Sequence, residues 1–102
     1  MKAALKKKWL KALRGGKYEQ GYGVLCQRGR YCCLGVLCEV AGVLRSDVGD
    51  TAYFYGQCVM PSDRVLADLG LSAGVADQLA RYNDRGYSFA WIAANIERRK
   101  EL

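Results

Sequence analysis

The segment from Cys32 to Gly42, CCLGVLCEVAG, constrains the fold most, because it is apolar on every side. Glu39 is the only polar side chain between its ends. An element without a polar face has to be buried all round, so the rest of the chain must pack around it. Leucine and cysteine outnumber β-branched residues, and Gly42 can end a helix, which favours a buried central helix over 32–42. Periodicity alone does not exclude a strand, because a short apolar run fits either structure.

Three of the five cysteines, Cys32, Cys33 and Cys38, fall in this segment. In a helix they point at roughly 0°, 100° and 240° around the axis, and in a strand Cys32 and Cys38 lie roughly 20 Å apart. Neither geometry brings three thiolates to one ion, and the chain has no histidine and no Cys-x-x-Cys pair. We expect these cysteines to be reduced and packed as small hydrophobic side chains, with no metal and no cofactor.

Length and patterning predict one α+β domain, residues 1–102, with about five helical segments around the central helix and one or two short β-hairpins. In residues 1–16, Leu5, Trp9 and Leu13 recur at helical spacing among lysines, which predicts an amphipathic basic N-terminal helix. No apolar run reaches the roughly 18 residues of a membrane span, and no signal-peptide pattern is present. We therefore expect a cytosolic protein.

Turn signals place the predicted strands. Arg28–Gly29 between two short apolar runs is typical of a tight hairpin turn with glycine at positive φ. Residues 44–50 are expected to form a polar turn. The Tyr- and Phe-rich run 51–55 predicts a strand, with a turn at 56–57 that leads into 58–60.

Three further helices are predicted after these strands. The first has Pro61 at or near its first helical position and ends near Gly70. Ser72 is expected to cap the second helix, which runs to about Tyr82, and Ser88 is expected to cap the last.

No catalytic constellation is present in the sequence. Without histidine, acid–base chemistry would need carboxylates, lysine, tyrosine or cysteine. Asp63 and Asp68 share one predicted helix, but a spacing of five residues turns them about 140° apart. We therefore expect no catalytic residues and no enzymatic activity.

The charge is uneven along the chain. Residues 1–30 contain nine Lys or Arg and one acid, a net charge of +8, whereas residues 31–102 carry a net charge of −2. Such a basic segment attracts nucleic acid or an acidic protein, or it is simply a solvated helix face that aids solubility. The residues expected to contact a partner or nucleic acid are Lys6, Lys7, Lys8, Lys11, Arg14, Lys17, Tyr22, Arg28 and Arg30.

Two patterns of the chain, combined with the order around them, resemble a set of small bacteriophage and prophage proteins. They are YCCLGVLC at 31–38 and N-D-x-G-x-S-F-x-x-I-A-x-x-I-E at 83–97, preceded by W-L-x-A-L-R-x-G-x-Y-x-Q-G at 9–21. The resemblance implies a phage or mobile element acting in a bacterial host cytoplasm. It implies no catalytic residues.

Three functions are compatible with these features. The first is a non-enzymatic phage accessory protein that binds and modulates a host bacterial factor, with an anti-CRISPR-like inhibitor of antiviral defence as one form. The second is a nucleic-acid-binding protein that uses the basic N-terminal third. The third is a protein that sequesters a nucleotide signal, with tyrosines stacking on the base.

Overall fold

The segment without a polar face forms a helix, α2 (Cys33–Val40), in the computed structural model, which describes all residues 1–102. Every residue from Cys33 to Cys38 is buried. Cys32 caps the helix, since its Sγ accepts a hydrogen bond from the Gly35 N–H at 3.4 Å. Gly42 follows the C-terminal end with φ 73°, a conformation that favours glycine. The predicted buried central helix over 32–42 is confirmed, with slightly shorter bounds.

The other elements surround α2. In chain order they are α1 (Ala3–Arg14), β1 (Glu19–Gln20), β2 (Cys26–Gln27), β3 (Arg30–Tyr31), β4 (Arg45–Val48) and β5 (Thr51–Phe54), then α3 (Asp63–Leu69), α4 (Ala73–Asp84) and α5 (Phe89–Arg98). Helix α1 packs against α2 and α5, and α4 packs against α2. All five helices contribute to one continuous core, so the α+β class with five helices is confirmed.

The strands form a single sheet with the order β1-β3-β2-β5-β4. Two antiparallel hairpins, β2–β3 and β4–β5, are joined by the pairing of Gln27 with Thr51. The first hairpin turns at Arg28 and Gly29, whose φ angles are 55° and 74°, as two-residue turns of this kind require. This turn is confirmed, whereas the joining of the hairpins into one sheet was not predicted.

The prediction of a polar turn over 44–50 is wrong, because residues 45–48 form the edge strand β4. All four side chains are exposed and only Val48 is apolar, so no alternation of apolar residues marks it as a strand. Pairing with β5 supplies the backbone hydrogen bonds, and the Arg45 guanidinium binds Glu39 of α2 at 2.9 Å. Residues 58–60 are not a strand, although the chain turns at 55–56 and Phe54 bridges to Gln57.

The predicted caps of the C-terminal helices are confirmed, with one correction. Ser72 and Ser88 accept hydrogen bonds from the backbone N–H three residues later and begin α4 and α5. Helix α3 is capped in the same way by Ser62, so Pro61 lies before the cap and not at the first helical position. Gly70 ends α3 with φ 76°. The two caps predicted from sequence were found because a serine hydroxyl satisfies an otherwise unpaired N–H at a helix start.

Candidate functional site

The three cysteines of the central segment lie in the core, as predicted. Cys33 and Cys38 are completely buried, and Cys32 is 4% exposed. Burial raises the pKa of Cys32 to about 11 and that of Cys38 to about 12, because a thiolate would lose its hydration. At neutral pH these thiols are therefore protonated and poor nucleophiles. No group of three or more Cys, Asp or Glu side chains, these cysteines included, is arranged to hold a metal ion.

The nine predicted contact residues do not form one surface. Lys8, Lys11 and Lys17 line one cavity, and Tyr22, Arg28 and Arg30 line another that shares no residue with the first. The remaining three, all on α1, line neither. Lys6 donates to the Leu102 carbonyl oxygen at 3.4 Å, Arg14 pairs with Glu97 of α5 at 3.1 Å, and Lys7 is exposed.

The lysine cavity is part of a groove along α1. Two cavities of about 740 and 490 Å³ share Lys8 and Val40, so they lie side by side. We call them together the α1 groove. Its walls are α1, the loop residues Gly15, Lys17 and Tyr18 after it, the end of α2, and the end of α3 with the residue that follows it. Its floor is apolar and half-buried, with Leu5, Ala12, Val40 and Ala41 among its residues.

The rim of the α1 groove is basic. Lys2, Lys8, Lys11 and Lys17 line it, and Asp68 is the only acid that does so. All seven ion pairs of the chain use arginines, so none of these lysines has a carboxylate within 4.0 Å. The α1 groove therefore combines an apolar floor with positive charge that the chain itself does not neutralise.

The second cavity, about 380 Å³ in volume, lies beside the β2–β3 hairpin and is called the hairpin cavity. Its two arginines are already paired. The Arg28 guanidinium lies 2.8 Å from Asp50 and lowers the pKa of that carboxyl, and Arg30 lies 3.7 Å from Glu19. Tyr22 is 56% exposed, so its ring is available for stacking. The positive charge here is largely balanced within the protein.

Sequence reasoning missed a buried polar contact between the two quoted patterns. Asn83 is the only fully buried polar side chain. Its Oδ1 accepts from the Cys33 N–H at 3.2 Å, and its Nδ2 donates to the Gly21 carbonyl at 2.9 Å. Trp9 Nε1 donates to the Cys33 carbonyl at 2.9 Å, and the Cys33 thiol donates to the Leu79 carbonyl at 3.5 Å. We call this set the Cys33–Asn83 junction.

An exposed aromatic cluster was also missed. Tyr87 and Trp91 pack with tilted rings whose centroids are 4.3 Å apart, and Tyr82 packs edge-to-face against both. Tyr87 is 42% exposed and Trp91 37%. Tyr82 lies on α4, Trp91 on α5 and Tyr87 in the loop between them, so the sequence alone did not mark them as a cluster.

In the comparison with known proteins, only the N-terminal part of the chain has a match. Residues 1–48 match the model of a domain of unknown function, DUF8296. The match extends from α1 to β4 and includes the lysines of the α1 groove and the whole hairpin cavity. No curated protein and no solved structure matches the chain. No helix of the structure has the length and apolar character that crossing a membrane requires.

Proposed function

We propose that this protein is a non-enzymatic accessory protein of a phage or prophage, which binds a host protein through the α1 groove in the bacterial cytoplasm and modulates it. The observation that carries the proposal is the α1 groove itself, where four unpaired lysines surround a half-buried apolar floor. Apolar area supplies affinity in protein interfaces, and unpaired charge at the rim steers a partner of opposite sign. The protonated buried thiols and the lack of histidine support a role without catalysis.

The character of the floor favours a protein partner over nucleic acid. Single-stranded nucleic acid is bound by exposed aromatic rings that stack on the bases. The only aromatic residue of the α1 groove is Tyr18, and its half-buried ring packs edge-to-face on Tyr31 with centroids 5.0 Å apart. The remaining apolar lining is aliphatic, which suits the side chains of a protein.

A pull-down with the tagged full chain from bacterial lysate, run with and without nuclease, tests the proposal. We expect one protein in stoichiometric amount. The double variant Lys8→Glu, Lys11→Glu should lose it, because the rim then repels an acidic partner. Lys7→Glu is the matched control, since Lys7 is an exposed lysine of the same helix that does not line the α1 groove.

Three outcomes would contradict the proposal. The first is capture of a protein that the double variant retains. The second is capture of nucleic acid alone, with an affinity that falls steeply with salt and that Lys7→Glu weakens as much as Lys8→Glu, because counterion release depends on total charge. The third is an empty pull-down from lysates of several bacterial hosts.

A nucleotide signal is a second candidate ligand, and the hairpin cavity favours it. Tyr22 could stack on a base while Arg28 and Arg30 contact phosphate. In a thermal-shift screen with linear and cyclic nucleotides, the nucleotide that binds should raise the melting temperature of the protein, and Tyr22→Ala should remove that shift. A flat screen would exclude this candidate and leave the first proposal unaffected.

A further inference from the structure

We infer that the α1 groove receives an acidic amphipathic α-helix of the partner protein, an inference that rests on the proposed function. The exposed aromatic cluster lines neither the α1 groove nor the hairpin cavity, and nothing around it identifies a partner. The α1 groove has both a cavity and a charge pattern, and its dimensions, walls and charge each restrict the occupant.

The dimensions fit a short helix. The groove follows α1, whose 12 residues span about 18 Å at 1.5 Å per residue. A facing helix of three to four turns has the same length. The two adjacent volumes, about 740 and 490 Å³, are large enough for several aliphatic side chains that project from one helical face.

The walls favour a helix over an extended peptide. No strand lines the α1 groove, and its walls come from α1, from the ends of α2 and α3, and from Gly15, Lys17 and Tyr18 after α1. The backbone groups along a helix are already hydrogen-bonded within it, so the helical walls offer no edge to which a strand could add. A helical occupant satisfies its own backbone and needs only side-chain contacts.

The charge determines the character of the occupant. Lys8, Lys11 and Lys17 follow one another along the rim without an acidic partner, and Asp68 lies near the α3 wall. An occupant with leucine-like residues at helical spacing on one face and Glu or Asp beside that face would bury its apolar stripe on the floor. Its carboxylates would then lie within reach of the lysines.

A labelled synthetic peptide tests this inference with the full chain. The probe has about 15 residues of Leu, Glu and Ala, with Leu at helical spacing and Glu on either side of the stripe. A scrambled peptide of equal composition and a peptide with Lys in place of Glu are the controls. Fluorescence anisotropy measures binding, and circular dichroism measures the gain of helix in the complex.

We expect the striped acidic peptide to bind at least about tenfold more tightly than either control. Lys8→Glu with Lys11→Glu should weaken binding by about tenfold or more, Val40→Ala severalfold, and Lys7→Glu by less than about twofold. Equal binding of the scrambled peptide would overturn the inference, because it would indicate charge attraction without a helical stripe. Absence of binding by the striped peptide would also overturn it.

The two proposals can fail separately. If the pull-down partner depends on Lys8 and Lys11 but the striped peptide neither binds nor competes, the helical occupant is wrong and the protein-binding function stands. If neither the partner nor the peptide depends on the α1 groove, both proposals are wrong.

Discussion

The Cys33–Asn83 junction and the α1 groove differ in how far the protein satisfies its own polar groups. In the junction, one buried amide joins α2, α4 and the segment that contains Gly21, and every buried side-chain nitrogen or oxygen has a partner. Around the α1 groove, four lysines have no acidic partner and the apolar floor is half-exposed.

This difference shows that the conspicuous sequence patterns are structural. YCCLGVLC and N-D-x-G meet each other in the core through Cys33 and Asn83. A satisfied buried network stabilises one arrangement of the chain but offers nothing to a ligand. The surface left for a partner comes from a lysine-rich helix with no distinctive motif. Substitutions in the junction should therefore change stability, and substitutions in the α1 groove should change binding alone.

The largest loss of stability is expected for Gly35→Ala, because a methyl group at Gly35 would overlap the Leu25 carbonyl group, whose carbon lies 2.7 Å from the new Cβ. We expect the free energy of unfolding to fall by about 3–4 kcal/mol in urea titrations. Gly74→Ala on α4 is the control: apart from its chain neighbours and the backbone of its own helix, no atom lies within 4 Å of the new Cβ, so it should stabilise the protein by roughly 0.5–1 kcal/mol. Similar changes in the free energy of unfolding for Gly35→Ala and Gly74→Ala would contradict the close packing of Gly35 against Leu25, the residue before β2.

A somewhat smaller loss is expected for Asn83→Ala. It leaves the buried Cys33 N–H and Gly21 carbonyl without partners, which costs about 2–3 kcal/mol in the free energy of unfolding. Asn95→Ala on α5 removes one half-buried contact to Arg99 and should cost less than about 1 kcal/mol. The Asn83→Ala variant should still capture the partner at temperatures where the variant is folded. If it did not, the conclusion that the junction affects stability and the α1 groove affects binding would be wrong.

Alkaline pH should weaken the core through its thiols. The pKa values of Cys32 and Cys38, about 11 and 12 in the folded protein, lie above the ordinary 9.0 that the unfolded chain approaches. The stability that the protonated thiols provide is thus complete below about pH 9 and is lost as pH rises towards 11–12. The free energy of unfolding should fall by about 1 kcal/mol per thiol by pH 10. The free energy of unfolding of Cys38→Ala should decline less steeply between pH 8 and 10 than that of the unmodified protein. Parallel declines of the two proteins would contradict the prediction.

The smallest effect on stability is expected in the α1 groove. Lys8→Glu with Lys11→Glu removes no ion pair of the folded chain, so the free energy of unfolding should change by less than about 0.5 kcal/mol. Binding of the striped peptide should nevertheless weaken by about tenfold or more. A destabilisation of about 2 kcal/mol or more in urea titrations would show that these lysines support the fold.

Features that depend on a few neighbouring residues could be predicted. The turn at Arg28–Gly29 follows from the backbone geometry of a two-residue hairpin. The caps at Ser72 and Ser88 follow from the unpaired N–H groups at a helix start. The strand β4 could not be predicted, because its exposed and mostly polar residues take their structure from pairing with β5 and from the contact of Arg45 with Glu39.

By itself, the sequence determined the class of fold, the buried central helix, the first hairpin and most helix ends, since each depends on local apolar patterning or local hydrogen bonds. Only the tertiary structure decided the order of the sheet, the role of Asn83 and the placement of the nine basic and aromatic residues, of which three line the α1 groove, three line the hairpin cavity and three line neither. The physical reason is that these features arise between segments distant in the chain. The charge along the sequence does not show which lysines have no carboxylate partner in the fold. It also does not show which of them lie beside an apolar floor.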